Sequence, residues 1–131
     1  MLIHFPIALF IVGALFDFLA QATKRSVLAA VAYCNLLGAA ISAIPVVATG
    51  VLAWRFQLEG QKLKGVLLMH LLLGWTSMVL IWVAWVLHRR SRNQFGQSIP
   101  FLRLGFEVLA VGVIMLTAHL GGFLSGVNGP G

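Results

Sequence analysis

The chain has 131 residues, of which 60% belong to the hydrophobic set AVILMFWYC and only 9% are charged. A soluble domain carries about 25% charged residues, so this chain has too little polar surface to coat a water-soluble globule. The composition excludes a disordered chain and a cytosolic enzyme. In a membrane protein, we expect the net charge of +6 to reflect signals that set the orientation in the membrane rather than a nucleic-acid partner.

Four long apolar segments follow one another along the chain, separated by short polar breaks. Each reaches the length of about 20 residues at which a helix crosses a hydrocarbon core roughly 30 Å thick. Helices are required because backbone polar groups in lipid must be satisfied within the segment. We therefore expect one domain over residues 1–131, an all-α integral membrane protein that forms an antiparallel four-helix transmembrane bundle. The predicted helices cover about residues 3–22, 27–54, 66–87 and 101–124.

The basic residues predict how the bundle is oriented. With the N-terminus outside, more basic residues fall on the inner side than on the outer side, as the positive-inside rule requires. The inner set is Lys24, Arg25, Arg89, Arg90, Arg92 and Arg103, and the outer set is Arg55, Lys62 and Lys64. We expect a bacterial inner-membrane protein with both termini outside. No Lys or Arg precedes the first segment, which is therefore predicted to be a retained span rather than a signal peptide.

Three of the four histidines fall at one predicted depth. His4 begins the first helix, His70 lies about one turn inside the third, and His119 lies about one turn before the end of the fourth. Imidazole is a common ligand of haem iron, copper and zinc, and helix bundles build such sites from side chains on facing helices. The three positions favour a shared site in the outer third of the membrane. His88 is instead expected at the opposite interface, facing lipid headgroups.

The residues around these histidines favour haem b as the cofactor. Gly74 shares a helix face with His70, and Gly112 shares one with His119, which leaves room for a flat macrocycle between helices. Close helix–helix packing explains the same glycines equally well. Arg55, at the same side of the membrane, is the preferred partner of the haem propionates.

Two of the three histidines are expected to ligate the iron. His70 with His119 is the preferred pair, because both lie about a turn inside the membrane beside glycines. His4 with His70 is the rival pair, because the first and third helices are diagonal in an up-down bundle. If His70 and His119 are the ligands, His4 is expected to contact a haem propionate or a quinone.

The acidic residues within the apolar segments need partners. Asp17 lies in an apolar run, where a carboxyl requires a proton, a cation or a hydrogen bond. Glu107 follows Arg103 by four residues, so an i, i+4 ion pair is its plainest explanation. A proton path through either carboxyl is the less favoured use.

The single cysteine, Cys34, excludes an internal disulfide and is predicted to be a small buried hydrophobic residue.

The opening His4-Phe5-Pro6-Ile7-Ala8-Leu9, with Asp17 later in the same segment, resembles a membrane family catalogued as domain of unknown function 2231. The likeness continues in Thr49-Gly50, His70 and His119-Leu120-Gly121-Gly122, and covers essentially the whole chain. The resemblance implies a four-span domain. It also implies redox work, because some members adjoin or fuse to Rieske-type or c-type cytochrome domains. One departure is the tail at residues 125–131, which lacks the aromatic residue expected after the double glycine.

Together these features predict a haem b-binding subunit of an electron-transfer complex, without catalytic residues of its own. The expected partners are lipid, a larger membrane redox complex, and a quinone, an outer c-type cytochrome or an iron–sulfur protein; no nucleic acid is expected. Two alternatives stay open. One is a cofactor-free structural subunit that packs against a larger membrane complex, and the other is a three-histidine copper or zinc site.

Overall fold

The computed structural model describes residues 3–56, 62, 64–92 and 100–124, and within these ranges the regular structure is helical, with no strand. The helices are α1 (His4–Thr23), α2 (Ser26–Phe56), α3 (Val66–Arg92) and α4 (Pro100–Leu124). All four are long and apolar enough to cross a membrane, so the protein is an integral membrane protein with the predicted all-helical fold. Glu59 and the tail at 125–131 lie outside the described residues.

A two-residue connection joins α1 to α2 and makes them neighbours. α1 ends at Thr23 and is followed by Lys24, whose backbone is left-handed with φ of 56°. Gly13 of α1 lies directly against α2, since a Cβ at this position would be 3.0 Å from the Leu36 Cγ. Leu9 packs in the same way against Gly38, where a Cβ would lie 3.1 Å from its Cδ1. Glycine at the contact lets two membrane helices approach closely.

Each helix packs against two others around the bundle: α1 against α2 and α4, and α3 against α2 and α4. A small apolar core fills the interior, and most large apolar side chains outside it are exposed, as a surface that faces lipid requires. Cys34 is also exposed, so the prediction that it is buried is wrong. The core residues are Phe10, Leu36, Ala39, Ala40, Ala43, Ile81, Ala84, Ala110 and Ile114.

The two ends of the bundle carry different side chains. At one end α1 and α3 finish and α2 and α4 begin; this basic end carries the exposed residues Lys24, Arg25, Arg89 and Arg90. At the other end, which we call the histidine end, lie His4, His70 and His119.

Candidate functional site

Ionisable side chains are buried inside the bundle toward its basic end. Asp17 of α1, His88 of α3 and Glu107 of α4 have exposed fractions of 0%, 3% and 1%. Arg103 of α4 joins them, with 12% of its side chain exposed. Three helices therefore contribute to one group of charges, which we call the buried ionic cluster: Asp17, His88, Arg103 and Glu107.

Arg103 and Asp17 form a two-pronged ion pair at the centre of the cluster. The Arg103 Nε donates to Asp17 Oδ2 at 2.9 Å, and its Nη2 donates to Asp17 Oδ1 at 2.7 Å. Arg103 Nη1 donates to the Ser91 hydroxyl of α3. A guanidinium fork on a carboxylate is among the strongest charged hydrogen-bond arrangements. The pair thus links α1 to α4, and Ser91 adds α3.

His88 lies inside the protein, and its predicted position among lipid headgroups is wrong. Its Nε2–H donates to the Ala29 carbonyl of α2 at 3.3 Å, and its Nδ1 lies 3.6 Å from Asp17 Oδ1. The ring of Tyr33 lies 6.1 Å from the imidazole, centroid to centroid. The physical reason is that α3 continues past Leu87, its predicted end, so the turn that holds His88 packs against α2.

Glu107 does not form the ion pair with Arg103 that the sequence predicts. Both of its carboxylate oxygens are buried, and no hydrogen-bond donor of the described residues reaches either one. Arg103, four residues earlier, directs its donors to Asp17 and Ser91 instead. The predicted i, i+4 pair between Arg103 and Glu107 is therefore wrong, because the fully buried Asp17 competes for the same guanidinium.

The charges of the cluster balance only if it holds one further positive charge. A nitrogen of His88 and one oxygen each of Asp17 and Glu107 lie within 4.8 Å of one another. Two ionised carboxylates against one guanidinium leave a net charge of about −1 in the interior, which costs several kcal/mol. One proton shared among Asp17, Glu107 and His88 makes the cluster neutral.

A divalent cation fits this arrangement less well than a proton does. The three ligand atoms are close enough to surround an ion. However, a charge of +2 beside Arg103 leaves the interior with a net charge of about +1, and the ion has to compete with the guanidinium for Asp17. The chemistry of the donor set therefore favours reversible protonation.

At the histidine end, His70 is fixed against α4. Its Nδ1–H donates to the Thr117 carbonyl at 3.1 Å. A Cβ added to Gly121 would lie 2.9 Å from the His70 Cε1, so any larger residue at this position would require the imidazole to shift. With Nδ1 protonated, the neutral ring carries its lone pair on Nε2, the nitrogen that is then able to ligate a metal.

The other two histidines lie on the outside of the bundle. His4 and His119 are both exposed, and the His119 ring contacts Phe123 edge-on at 6.3 Å. Thr117 and Gly121 face His70, whereas His119 is two positions from each and hence about 200° around the helix. The structure therefore does not bring the three predicted ligands to one interior site.

The remaining predicted site residues also lie apart from an interior cofactor site. Arg55 and Gly112 are exposed, and Gly74 is half-buried. A Cβ at Gly74 or Gly112 would meet nothing within 4 Å, so neither glycine is required for a close approach in this bundle. The room that the sequence predicts beside His119 lies on the outer surface of α4.

A family model described as "predicted membrane protein", domain of unknown function 2231, matches residues 1–129 of the chain. The chain belongs to this family. No curated protein and no solved structure matches the chain. Because the family description names no activity, the function of this member of family 2231 has to be inferred from its own side chains.

The sequence of this family 2231 protein contained one signal of the cluster. Asp17 stands alone in an apolar run, and a buried carboxylate demands a partner. Arg103 and His88 are cationic or titratable residues expected at the same end of the bundle. The rotation of each helix about its axis cannot be predicted from the sequence. This rotation decides that Arg103 pairs with Asp17 rather than with Glu107.

Proposed function

We propose that the protein is an integral membrane subunit that takes up and releases a proton at the buried ionic cluster, within a larger membrane redox complex. The observation that carries this proposal is Glu107, a residue that is 1% exposed, whose carboxyl is reached by no donor of the described part of the chain, and which lies beside an Asp17 already paired with Arg103. Ionisable residues inside a membrane span are costly and mark functional positions by default.

A purely structural role explains only half of the cluster. The Asp17–Arg103 pair is sufficient to link α1 and α4. Glu107 and His88 add further buried polar atoms, and an apolar residue of similar size is often neutral or more stable at such a place. Two additional titratable groups next to a satisfied ion pair are expected where a protein holds a mobile proton.

The basic end offers the exit for this proton. Arg103 lies one turn inside α4 and donates to Ser91, whose hydroxyl in turn donates to the His88 carbonyl at 3.1 Å. Arg103 keeps its proton and the His88 carbonyl only accepts, so these contacts mark the side on which the cluster approaches the exposed residues of the basic end, while the proton itself is held by the titratable side chains of the cluster. With the predicted orientation, the proton exchanges with the inner side of the membrane.

Infrared spectroscopy of the full chain in nanodiscs tests this proposal. The chain has only three acidic side chains, so the C=O band of a protonated carboxyl can be assigned by substitution. We expect this band at neutral pH and expect Glu107→Gln or Asp17→Asn to remove or shift it. Glu59→Gln is the matched control and is expected to leave the band unchanged.

The outcome that contradicts the proposal is equally clear. If all carboxyl groups of the folded protein are ionised at neutral pH, and the band appears only when the protein unfolds in acid, the cluster is a static ion network. The structural-subunit alternative then becomes the better account.

Haem b electron transfer is the second candidate, and the contact between His70 and Thr117 supports it. A hydrogen bond from Nδ1 to a backbone carbonyl is the usual way in which a protein orients an imidazole ligand. Bound haem b would carry one electron at a time. His70 would hold the haem through its Nε2, and His119, His4 or a group of a partner subunit would supply the other ligand. The ligand pair stays a prediction.

A dithionite-reduced minus oxidised absorption spectrum of the purified chain tests the second candidate. We expect a sharp b-type α band, its loss in His70→Ala, and its retention in His88→Ala. Absence of the band after expression with added haem contradicts this candidate without affecting the proton proposal. A quinone, an outer c-type cytochrome or an iron–sulfur protein is then no longer required as an electron partner.

A further inference from the structure

A groove of about 250 Å³ opens between α1 and α4 on the outside of the bundle. Glu107 lines it, and the other described residues of its wall are apolar. They are Ile11, Ala14, Leu15, Phe18, Leu104, Val108 and Val111. Glu107 thus lies between two environments, with the buried ionic cluster on one side and the groove on the other.

The groove faces the lipid rather than water. Leu15, Phe18 and Val108 on its rim are 54%, 57% and 72% exposed, although all three are large and apolar. Glu107 lies seven residues into α4, about 10 Å along the helix axis. This depth is below the level of the phospholipid headgroups, so a molecule that occupies the groove has to be soluble in the hydrocarbon part of the bilayer.

We infer that the groove binds the head of a lipid-soluble quinone, with a quinone carbonyl oxygen accepting a hydrogen bond from the Glu107 carboxyl. This inference rests on the proposed function, since only a carboxyl that holds a proton can donate. An acyl chain offers no acceptor, whereas a quinone offers carbonyl oxygens on an apolar ring that carries an apolar tail. The match is between the buried Glu107 carboxyl, which no donor of the described residues reaches, and one acceptor in an otherwise apolar ligand.

The size of the groove agrees with a single ring. An apolar cavity of about 150 Å³ accommodates benzene, so about 250 Å³ suits one substituted ring, while the tail follows the exposed side chains outside. In this structure the Glu107 carboxyl oxygens are buried on the side of the cluster, and binding of the quinone would require the side chain to rotate toward the groove. The same residue would then bind the quinone and exchange a proton with Asp17 and His88.

Photoaffinity labelling with an azido-substituted short-chain benzoquinone tests the inference on the full chain in nanodiscs. We expect the label on groove residues of α1 and α4, and displacement by excess unsubstituted quinone. Ala14→Phe fills the groove and should abolish labelling, whereas Ala8→Phe, at an exposed position of the same helix, should retain it. Val111→Trp fills the groove from α4 if Ala14→Phe does not fold.

Substitution of Glu107 tests the hydrogen bond separately. Glu107→Leu should weaken competition by the quinone about tenfold, the effect of losing one hydrogen bond. Glu107→Gln keeps a donor and should bind within about twofold of the native chain.

Two results overturn the inference. One is a label spread evenly over the lipid-facing residues, and the other is labelling that survives both groove-filling variants. If the infrared band of Glu107 is present in that case, the proton site stands and only the quinone is wrong. If the infrared band is absent, and the label still reaches the groove equally well in the Glu107 variants, the proposed proton site and the proposed hydrogen bond are both wrong.

Discussion

Arg103 is the side chain on which the other members of the buried ionic cluster depend. Its guanidinium contacts Asp17 through two nitrogens and Ser91 through the third. It is also the permanent positive charge of the cluster, because a guanidinium does not lose its proton in proteins. Removing it leaves a buried carboxylate without its main partner.

The substitution Arg103→Gln should destabilise the protein by about 3–5 kcal/mol, the cost of breaking a buried ion pair on one side. The double variant Asp17→Asn/Arg103→Gln should recover most of this loss because no uncompensated charge remains. Chemical unfolding in detergent, followed by tryptophan fluorescence, measures both. Arg90→Gln, at an exposed position of the basic end, is the control and should change stability by less than about 0.5 kcal/mol. Equal stability of Arg103→Gln and the control contradicts the role of the pair.

At the residue level, the sequence could show which side chains need partners but not which partners they find. A carboxyl in an apolar run is visible as a problem from the sequence alone. The local pairing of Arg103 with Glu107 is also visible, because i and i+4 share a helix face. The structure prefers the pairing of residues 17 and 103, since Asp17 is fully buried and gains most from the guanidinium.

The helices pack through specific glycines, and these differ in what surrounds them. A Cβ added to Gly13 would lie 3.0 Å from the Leu36 side chain, whereas a Cβ added to Gly112 would meet nothing within 4 Å. We expect Gly13→Leu to force α1 and α2 apart and to cost about 1–3 kcal/mol or more. Gly112→Leu is the matched control and should be neutral or slightly stabilising. The same unfolding assay decides, and a neutral Gly13→Leu would show that the two helices are not in this contact.

Gly121 is the position where α4 receives the His70 imidazole. Gly121→Ala places a methyl group 2.9 Å from the His70 Cε1, so the ring has to leave Thr117. We expect a loss of about 1 kcal/mol with the hydrogen bond, together with a changed imidazole NMR resonance. Gly105→Ala, with open space around it, should leave that resonance in place. An unchanged resonance in Gly121→Ala would contradict the contact.

The helices themselves could be predicted from the sequence, whereas their faces could not. Length and apolar composition decide that a segment spans a membrane, and the four predicted spans agree with α1 to α4 except that α3 continues to Arg92. The face that a helix turns inward is harder to predict in a membrane protein, because both the lipid side and the core side are apolar. The stripe of Gly105, Gly112 and His119 illustrates this, since all three are exposed.

The whole molecule has an apolar exterior and holds charges in its interior, the reverse of a soluble protein. Its orientation is a prediction from the positive-inside rule, which expects the exposed cations of the basic end on the inner side. In a Cys34→Ala background, Lys62→Cys should react with a membrane-impermeant maleimide in intact cells. Arg25→Cys should react only after permeabilisation. The opposite labelling pattern would reverse the orientation and place the exit of the proton on the outer side.

Carbon-13 NMR of the full chain in nanodiscs, with labelled glutamate side-chain carboxyls and labelled histidine, tests the shared proton most directly. Glu59→Gln assigns the Glu107 signal. We predict that the Glu107 carboxyl and the His88 imidazole change protonation together as the pH is varied, because they share one exchangeable proton. A Glu107 signal that stays at the position of an ionised carboxylate throughout, with His88 unaffected, would contradict the proposed proton site.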